Sequence, residues 1–325
     1  MLSLFRKNLF INYLLIFPYA FFLHLGVWLR RIPVAINPAN WVFSSVMDTL
    51  NLSYEAQTII ATLVISLIAI ILGNIVVKFR LIPNGQLFAS IFFIIFCGLH
   101  ANTLALTPSL IATLFFAIAV QQIMGIYNQK SSPLKIFNFG FFVGLASLIY
   151  LPFYIFILVG IISLIVLKGF KVRELFQILV GFFCVYFLFC TAGFAFDFLD
   201  EFYELQVKAF FSPYAFSLSF GGHGLVAMGI LSLVFIAAFI SLNLFQLKKT
   251  IIVQKYYDLF FWIIFVGLLS LLFLNIKEIN HIHLFLVPLS ILMGLMISKI
   301  KNQLLADTIH LTFIISALFL QFQNW

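Results

Sequence analysis

The chain has 325 residues, of which 64% are hydrophobic and 9% are charged, and its net charge is +8. Soluble domains are about 45–50% apolar and about 25% charged, so this chain has too much apolar surface to fold in water. The composition excludes a cytosolic enzyme, a secreted disulfide scaffold, a disordered chain and an outer-membrane barrel of alternating strands. We therefore expect an all-α, polytopic transmembrane helical bundle that forms a single domain over residues 1–325.

Apolar runs between charges and turn residues predict about eleven membrane spans, in a range of ten to twelve. A bilayer core of about 30 Å requires about 20 apolar residues per helix. The predicted spans are residues 9–29, 57–77, 85–99, 108–127, 136–151, 153–167, 174–196, 224–245, 257–275, 282–298 and 304–322. Pro152 is expected to divide the uncharged run 136–167 into a hairpin, because proline interrupts helical hydrogen bonding. A single bent helix there would give ten spans.

The distribution of Lys and Arg predicts the orientation, since cytoplasmic loops collect basic residues. With a cytoplasmic N-terminus and alternating loops, 14 of the 18 basic residues lie on the inner side. Only three of the ten acidic residues lie there, so the inner side carries +11 and the outer side −3. This segregation favours a multi-pass protein of the bacterial cytoplasmic (inner) membrane. The basic loops indicate contact with anionic membrane lipids rather than with nucleic acid.

Two long loops are predicted on the outer side. Residues 30–56 contain an amphipathic stretch, Asn40 to Leu52, that suits a helix lying in the membrane interface with Trp41 at headgroup depth. Residues 197–223 are acidic at their start and aromatic throughout. Aromatic residues anchor loops at the membrane surface, and the sharper alternative is a platform for a lipid or sugar acceptor.

Residues that could carry chemistry gather on the outer side. Carboxylates and imidazoles serve as general acids and bases, and adjacent arginines suit a pyrophosphate because guanidinium groups match phosphate oxygens. The adjacent arginines are Arg30 and Arg31, and Asp48 is the candidate catalytic base. The outer-face polar cluster comprises Asp197, Asp200, Glu201, Glu204, His223, Glu278, His281 and His283. A solvated outer surface of ordinary loops is the alternative interpretation of the same residues.

Other site classes have little support. No cysteine pair or histidine motif has metal-ligand spacing, and nucleotide and serine-hydrolase signatures are missing, so we expect no metal and no cofactor. Asp307 and His310 face one another in the first turns of the last span, where an interfacial pair is favoured over a proton relay. A coupled transporter is therefore disfavoured, since such proteins usually place a carboxylate at mid-membrane.

Two stretches carry a resemblance to a known family. The start Leu4-Phe5-Arg6-Lys7-Asn8 is one, and the other is the run from Ile136 to Pro152, followed by Val172-Arg173-Glu174-Leu175. With the length and the Phe-rich composition, they resemble a family of uncharacterised polytopic integral membrane proteins of Bacteroidota. The resemblance spans most of the chain and implies no particular activity.

A weaker resemblance is to the GT-C-type lipid-linked glycosyltransferases. These proteins have a comparable span count, an inside N-terminus, a long first outer loop with interface helices and a Gly-Leu-Ala hairpin ending in proline. The resemblance implies a catalytic acid soon after the first span. Here that place holds Arg30 and Arg31, and the acids of the loop are the later Asp48 and Glu55.

Three functions follow as hypotheses. The first is a GT-C-like protein that handles a polyprenyl-phosphate-linked sugar at the outer face, with Asp48 as the base. The second is a non-catalytic membrane subunit of a cell-envelope complex that binds a protein partner. The third is a transporter or flippase of a lipidic substrate.

Overall fold

The computed structural model describes residues 2–6, 9–31, 40–82, 85–129, 131–208, 210, 217–219, 222–241, 250–272 and 276–322. The helices are α1 Phe10–Leu14, α2 Ile16–Leu23, α3 Leu25–Arg30, α4 Trp41–Leu50, α5 Tyr54–Lys78, α6 Phe88–Cys97, α7 Ala101–Leu104, α8 Pro108–Met124, α9 Pro133–Ile149, α10 Ile157–Leu167, α11 Val172–Ala195, α12 Leu199–Phe202, α13 Gly222–Ile240, α14 Ile251–Leu271, α15 His283–Lys299 and α16 Gln303–Phe322. Short 3-10 turns cover Leu2–Arg6, Leu151–Phe156 and Ile279–Ile282, and a π-helical turn covers Tyr203–Lys208.

Seven helical segments are long and apolar enough to cross a membrane. They are Phe10–Arg30, Tyr54–Lys78, Val172–Ala195, Gly222–Ile240, Ile251–Leu271, Ile279–Lys299 and Gln303–Phe322. Four shorter apolar helices overlap the remaining predicted spans: Phe88–Cys97, Pro108–Met124, Pro133–Ile149 and Leu151–Leu167. The structure therefore shows a helical fold of the membrane type with seven candidate spans, and the count of about eleven stays a prediction.

The centre of the bundle is formed by α6 and α15. Every residue of α6 is buried, and 89% of the most apolar window of segment Ile279–Lys299 is buried inside the protein. By contrast, only 22% of the corresponding window of α11 is buried. A helix that is apolar on all sides is stable at the surface only when lipid covers it, so α11 belongs to the periphery of a membrane bundle.

The uncharged run 136–167 forms the predicted hairpin. α9 ends at Ile149, a 3-10 turn passes through Pro152, and α10 returns alongside. At the far end the ammonium group of Lys168 lies 3.3 Å from the hydroxyl of Ser132 and pairs with the buried carboxylate of Glu174. The start of α9 and the end of α10 therefore lie together, and the chain reverses at Pro152.

Glycines bring α9 and α11 into backbone contact. A Cβ atom added to Gly140 would overlap the carbonyl group of Ile178, and one added to Gly181 would overlap the carbonyl oxygen of Phe137. A Cβ at Gly144 would lie 2.9 Å from the carbonyl oxygen of Phe182. The Gly140-x-x-x-Gly144 spacing thus lets two helices approach closely, as small residues do in membrane bundles.

Hydrogen bonds and ion pairs sort the helix ends into two groups. One group, which we call the basic end, holds residues 2–6, 78–82, 124–129, 131–135, 168–174 and 255–257. Here the Tyr256 hydroxyl donates to the carbonyl of Met124. The other, which we call the histidine end, holds residues 24–31, 41–55, 98–109, 148–154, 198–206 and 279–283. The helices alternate between these two ends as the charge pattern predicts. Which end faces the cytoplasm stays a prediction.

The first and last candidate spans pack against each other along their length. At the basic end the amide of Leu2 donates to the carboxylate of Asp307, with a nitrogen–oxygen distance of 3.0 Å. Further along, the Tyr19 hydroxyl lies 2.9 Å from Nε2 of His310. Asp307 and His310 are therefore tied to the N-terminal part of the chain as well as lying near one another, and His310 is buried inside the protein.

Two short strands interrupt the helical pattern. β1 Ser217–Ser219 pairs in parallel with β2 Ile276–Glu278, with Leu218 opposite Lys277. The sequence interpretation contained no strand, because three-residue segments have no detectable alternation. This pairing connects the second outer loop to the chain just before the histidines of α15.

Candidate functional site

The polar residues of the histidine end are concentrated in the segment between α6 and α8. His100 begins α7, and its Nδ1 accepts a hydrogen bond from the amide of Asn102 at 3.1 Å. The Thr103 hydroxyl reaches the carbonyl oxygens of Cys97 and His100 at 2.6 and 2.7 Å. Thr107 caps α8 by accepting from the amide of Leu110. Side-chain hydrogen bonds thus fold this short connection back on itself.

His24 attaches the same segment to the first candidate span. Its Nε2 lies 3.0 Å from the carbonyl oxygen of Leu104, and its Nδ1 lies 3.1 Å from that of Ala20. The ring is fully buried. A neutral imidazole carries one N–H, so one of these two carbonyls receives a full hydrogen bond from the neutral ring. This contact links α2 to α7 across the bundle.

His283 lies in a chain of buried hydroxyl groups. Its Nδ1 is 3.1 Å from the Ser109 hydroxyl and 3.2 Å from the carbonyl oxygen of Asn280. The Ser109 hydroxyl is in turn 3.1 Å from that of Thr107. A serine beside a histidine is the pair used in nucleophilic catalysis. Both side chains are fully buried, however, so in this conformation the pair connects α8 to α15 and offers no nucleophile to solvent.

His281 and His100 interact with different groups. His281 is buried and its Nδ1 bonds to the hydroxyl of Tyr150, at the tip of the α9–α10 hairpin. Burial, and secondly the nearby ring of His223, lower the pKa of His100 to about 4. At neutral pH His100 is therefore uncharged, and its proton lies on Nε2 because Nδ1 accepts a bond.

The two long loops for which an outer position is predicted pack against each other. The Gln206 side chain accepts from the amide of Val42 at 3.0 Å and donates to the carbonyl oxygen of Leu148 at 2.7 Å. The Trp41 ring lies 5.6 Å from that of Phe198 and 6.2 Å from that of Phe202. These contacts hold α4 on top of α9 and against the segment 199–208.

The predicted base and phosphate-binding residues are not brought together. Arg31 forms an exposed ion pair with Glu55 at 2.8 Å. The Arg30 guanidinium donates to the carbonyl of Phe322 and lies over that residue's ring. Asp48 is exposed on α4, which packs against other elements, and it makes no hydrogen bond or ion pair among the described residues. The roles assigned to these three residues stay predictions.

The acids of the second loop lie on the surface. Asp197, Asp200 and Glu201 are exposed, and Asp197 has a left-handed backbone conformation with φ of 56°. Glu204 pairs with Lys208 at 2.6 Å, and this pair raises the pKa of Lys208. The side chain of Glu278 lies outside the described part of the structure. Among the described residues, no three His, Cys, Asp or Glu side chains are placed to hold a metal ion.

An apolar crevice of about 180 Å³ opens between α13, α14 and α15 in the half of the bundle near the histidine end. We call it the histidine-end crevice. Met228, Phe235, Leu268, Ile282, Phe285 and Leu289 are among its lining residues. Ile236 and Leu268 on its wall are about half exposed, at 51% and 45%, so the crevice is open toward the membrane.

Several of these groups were missed by sequence reasoning. Tyr150 and Ser109 stand in uncharged segments without a motif, and Gln206 is a neutral residue between Glu204 and Lys208. Their partners are 131, 174 and 58 or more residues away. The histidines themselves were recognisable as candidate site residues, because they lie at the ends of apolar runs. No known protein family, curated protein or solved structure matches the chain.

Proposed function

We propose that this protein is an integral membrane protein that binds a lipidic ligand, with the ligand's hydrocarbon chain in the histidine-end crevice and its polar group at the histidine end. The observation that carries the proposal is the position of the crevice. Its wall includes Ile282, which stands between His281 and His283, and it runs along α13, whose first turn carries the half-buried His223.

The geometry suits an elongated amphiphile. The crevice wall contributed by α14 extends from Ile264 to Leu271, which is about 10 Å of helix at 1.5 Å per residue. Ligand sites in proteins are typically concave, mostly apolar and bordered by a few polar groups. Here the apolar part faces lipid, and the polar groups lie at one end of it.

A photoactivatable phospholipid with a diazirine in its acyl chain tests the proposal in nanodiscs. We expect crosslinks to concentrate on α13 to α15, at Phe235, Leu268 or Phe285. Leu231→Trp should reduce them severalfold, because Leu231 is a buried residue of the crevice wall. Leu233→Trp is the matched control on the same helix, since Leu233 is 66% exposed outside the crevice. Equal labelling of α11 and the crevice would contradict the proposal.

A catalytic form of this function is the transfer of a sugar from a polyprenyl-phosphate carrier, with Asp48 as the base that takes the proton of the attacking acceptor while the carrier phosphate leaves. The exposed carboxylate of Asp48 supports this role. Arg30 and Arg31 contact separate partners, so no contact in the structure supports a shared phosphate site. Asp48→Asn should then abolish transfer and leave lipid crosslinking intact. Full transfer activity in this variant would exclude the role of Asp48.

A non-catalytic subunit is the second candidate. The observation that favours it is the docking of both outer loops into one unit, which leaves Val46 and Leu50 of α4 exposed at 49% and 55%. Purification in mild detergent should then yield a stoichiometric partner protein that is lost with Val46→Asp. A monodisperse monomer with unchanged lipid crosslinking would contradict this candidate.

A further inference from the structure

The histidine-end crevice continues into a second cavity toward the basic end. This cavity has a volume of about 490 Å³ and is bordered by α10, α13 and α14. Phe235 of α13 and Leu268 of α14 line both spaces, so the two cavities adjoin at these side chains. We call the two cavities together the long groove. Besides the two shared residues, its half near the basic end is lined by Val166, Phe239, Asp258, Phe261, Trp262 and Phe265.

The long groove is longer than one leaflet of the bilayer. Its lining residues on α14 extend from Leu271 to Asp258, which is about 20 Å of helix at 1.5 Å per residue. Half of a hydrocarbon core of about 30 Å is about 15 Å. A hydrocarbon chain that enters at Leu271, the last residue of α14, therefore passes the middle of the bilayer before it reaches Asp258.

The wall of the groove offers an apolar surface over this length. The Ser232 hydroxyl lines the crevice, but it donates to the carbonyl of Met228 at 2.7 Å within its own helix. Toward the basic end, the rings of Phe235, Phe239 and Phe261 lie 6.1 to 6.5 Å from one another and join α13 to α14. We call these three rings the ring cluster. Polar groups therefore do not interrupt the path from the crevice to the ring cluster.

The groove ends at a polar layer near the basic end. Asp258 is the one ionisable residue among the described residues that line the groove, and it has an interaction partner of its own. One turn earlier on α14, the ammonium group of Lys255 lies 5.5 Å from the centre of the Tyr127 ring. Charged side chains are costly inside the hydrocarbon core and are tolerated near helix ends. An apolar chain can therefore fill the groove as far as this layer.

The open side of the groove admits a lipid chain from the membrane, since Trp262 and Phe265 are 41% and 56% exposed. Within a bilayer, association depends on close packing rather than on the hydrophobic effect. Each additional pair of atoms in contact adds a small dispersion energy. A chain that contacts the whole groove is therefore held more tightly than one that contacts the crevice alone.

We propose that the lipidic ligand is bound by one long hydrocarbon chain that lies extended through both cavities, with its end against the ring cluster. A zigzag chain with C–C bonds of about 1.5 Å advances about 1.25 Å per bond, so about 16 carbons cover the groove. The site therefore selects lipids whose chain has about this length or more. This inference rests on the proposed function and adds the length and the direction of the bound chain.

Two photoactivatable phosphatidylcholines in nanodiscs test the direction of the chain. Each has one chain of about 18 carbons, with the diazirine either at the chain end or next to the carbonyl group. The chain-end probe should label Phe239 and Phe261 about threefold more than the carbonyl-side probe, because the chain enters from the far leaflet. The carbonyl-side probe should instead label the crevice near Leu271 and Ile282.

Phe176 of α11 is the control at matched depth. It is 60% exposed and lies one turn from Arg173, as Phe261 lies one turn from Asp258. Freely diffusing lipids of the nearer leaflet reach this depth with the carbonyl-side part of their chains, so Phe176 should show the opposite preference. The same ratio of the two labels at Phe261 and Phe176 would overturn the inference, because chains of the nearer leaflet would then fill the groove.

A variant at the junction of the two cavities tests their continuity. Leu268→Trp places a larger side chain there, at a position that is 45% exposed and so tolerates the change. Chain-end labelling of the ring cluster should fall by about threefold or more, whereas carbonyl-side labelling near Ile282 should stay. Leu233→Trp lines neither cavity and should change neither label. Unchanged chain-end labelling in Leu268→Trp would exclude a chain that passes the junction.

The outcome for the chain is distinguishable from the outcome for the proposed function. If neither probe labels the crevice, the proposed function fails and the inference fails with it. If the crevice is labelled but the chain end does not reach the ring cluster, the inference alone fails. A chain-end probe with a chain of about 10 carbons should label the crevice and leave Phe239 and Phe261 unlabelled. Equal labelling of the ring cluster by the short and the long chain would contradict the selection by length.

Discussion

Gln206 connects three parts of the chain through one amide group. Its oxygen accepts from the amide of Val42, and its nitrogen donates to the carbonyl oxygen of Leu148. The residue is only 1% exposed, so water cannot replace either bond. Removing a partner from a buried backbone group costs about 1–3 kcal/mol, and here two such groups depend on one side chain.

We therefore expect Gln206→Leu to release α4 from the bundle. Amide hydrogen exchange over Trp41–Leu50 should accelerate by at least about tenfold, which corresponds to about 1.4 kcal/mol. Gln206→Glu keeps the acceptor for Val42 but, when ionised, buries a negative charge beside the carbonyl oxygen of Leu148, so it should be at least as disruptive as Gln206→Leu. Thr49→Val is the control, because the exposed Thr49 hydroxyl bonds only within α4. Unchanged exchange in Gln206→Leu would contradict the role of this residue.

At the residue scale, the sequence predicted which polar side chains lie near the ends of the helices better than it predicted the residues that they contact. It assigned His281 and His283 to one outer-face polar cluster, and in the structure the two rings contact different groups, Tyr150 and Ser109. It could not predict these partners, because a single tyrosine or serine in an apolar run has no periodic signal. The sequence also grouped Asp48, Arg30 and Arg31 into one site because they are close in the chain. In the structure, the Arg30 side chain instead contacts Phe322 at the end of α16.

Among the helix–helix contacts described above, the crossing of α9 and α11 depends most strongly on small residues. Gly140 and Gly181 each face a carbonyl group of the other helix, with no room for a methyl group. Overpacking costs about 1–3 kcal/mol when side chains can move, and more is expected here because backbone would have to shift.

Gly140→Ala and Gly181→Ala should each lower the free energy of unfolding by about 2 kcal/mol or more. Thermal unfolding in detergent, followed by tryptophan fluorescence, measures the change. Gly229→Ala is the matched control, because a Cβ at Gly229 of α13 would meet no atom within 4 Å. That substitution should be neutral or stabilising by up to about 1 kcal/mol, since alanine favours helix. Equal effects at all three positions would refute the close crossing.

Hydropathy predicted which segments are helical, but not how long each helix is. The predicted spans 85–99 and 108–127 correspond to the shorter buried helices Phe88–Cys97 and Pro108–Met124. The polar segment that carries His100 separates these two helices. A ten-residue helix is about 15 Å long, which is half of a bilayer core. The turn of the hairpin was predicted correctly from Pro152, because proline interrupts the hydrogen bonds of its own helix. The burial of α6 could not be predicted in this way, because it depends on packing against residues that are distant in the chain.

At the scale of the whole molecule, the two ends of the bundle differ in charge. Basic side chains such as Lys168 lie at one end, and most exposed acids lie at the other. Helix alternation fixes which segments share an end, and the excess of Lys and Arg predicts that the basic end is cytoplasmic.

Single cysteines in a variant lacking Cys97, Cys184 and Cys190 test this orientation. In intact cells, a membrane-impermeant maleimide should label Asp48→Cys and Asp200→Cys, which replace exposed residues of the histidine end. Lys171→Cys and Lys301→Cys are exposed at the basic end and should react only after the membrane is permeabilised. The reverse pattern would invert the topology, and labelling of one residue from each pair would contradict the two-ended arrangement.

The packing of the first candidate span on the last has a consequence for biogenesis. The contacts of Leu2 with Asp307 and of Tyr19 with His310 join positions about three hundred residues apart. Helix α16 follows every other described helix in the chain, so these two contacts can form only after α16 has been synthesised. We therefore expect the packing of α1 to α3 against α16 to form only after the segments between them have been made.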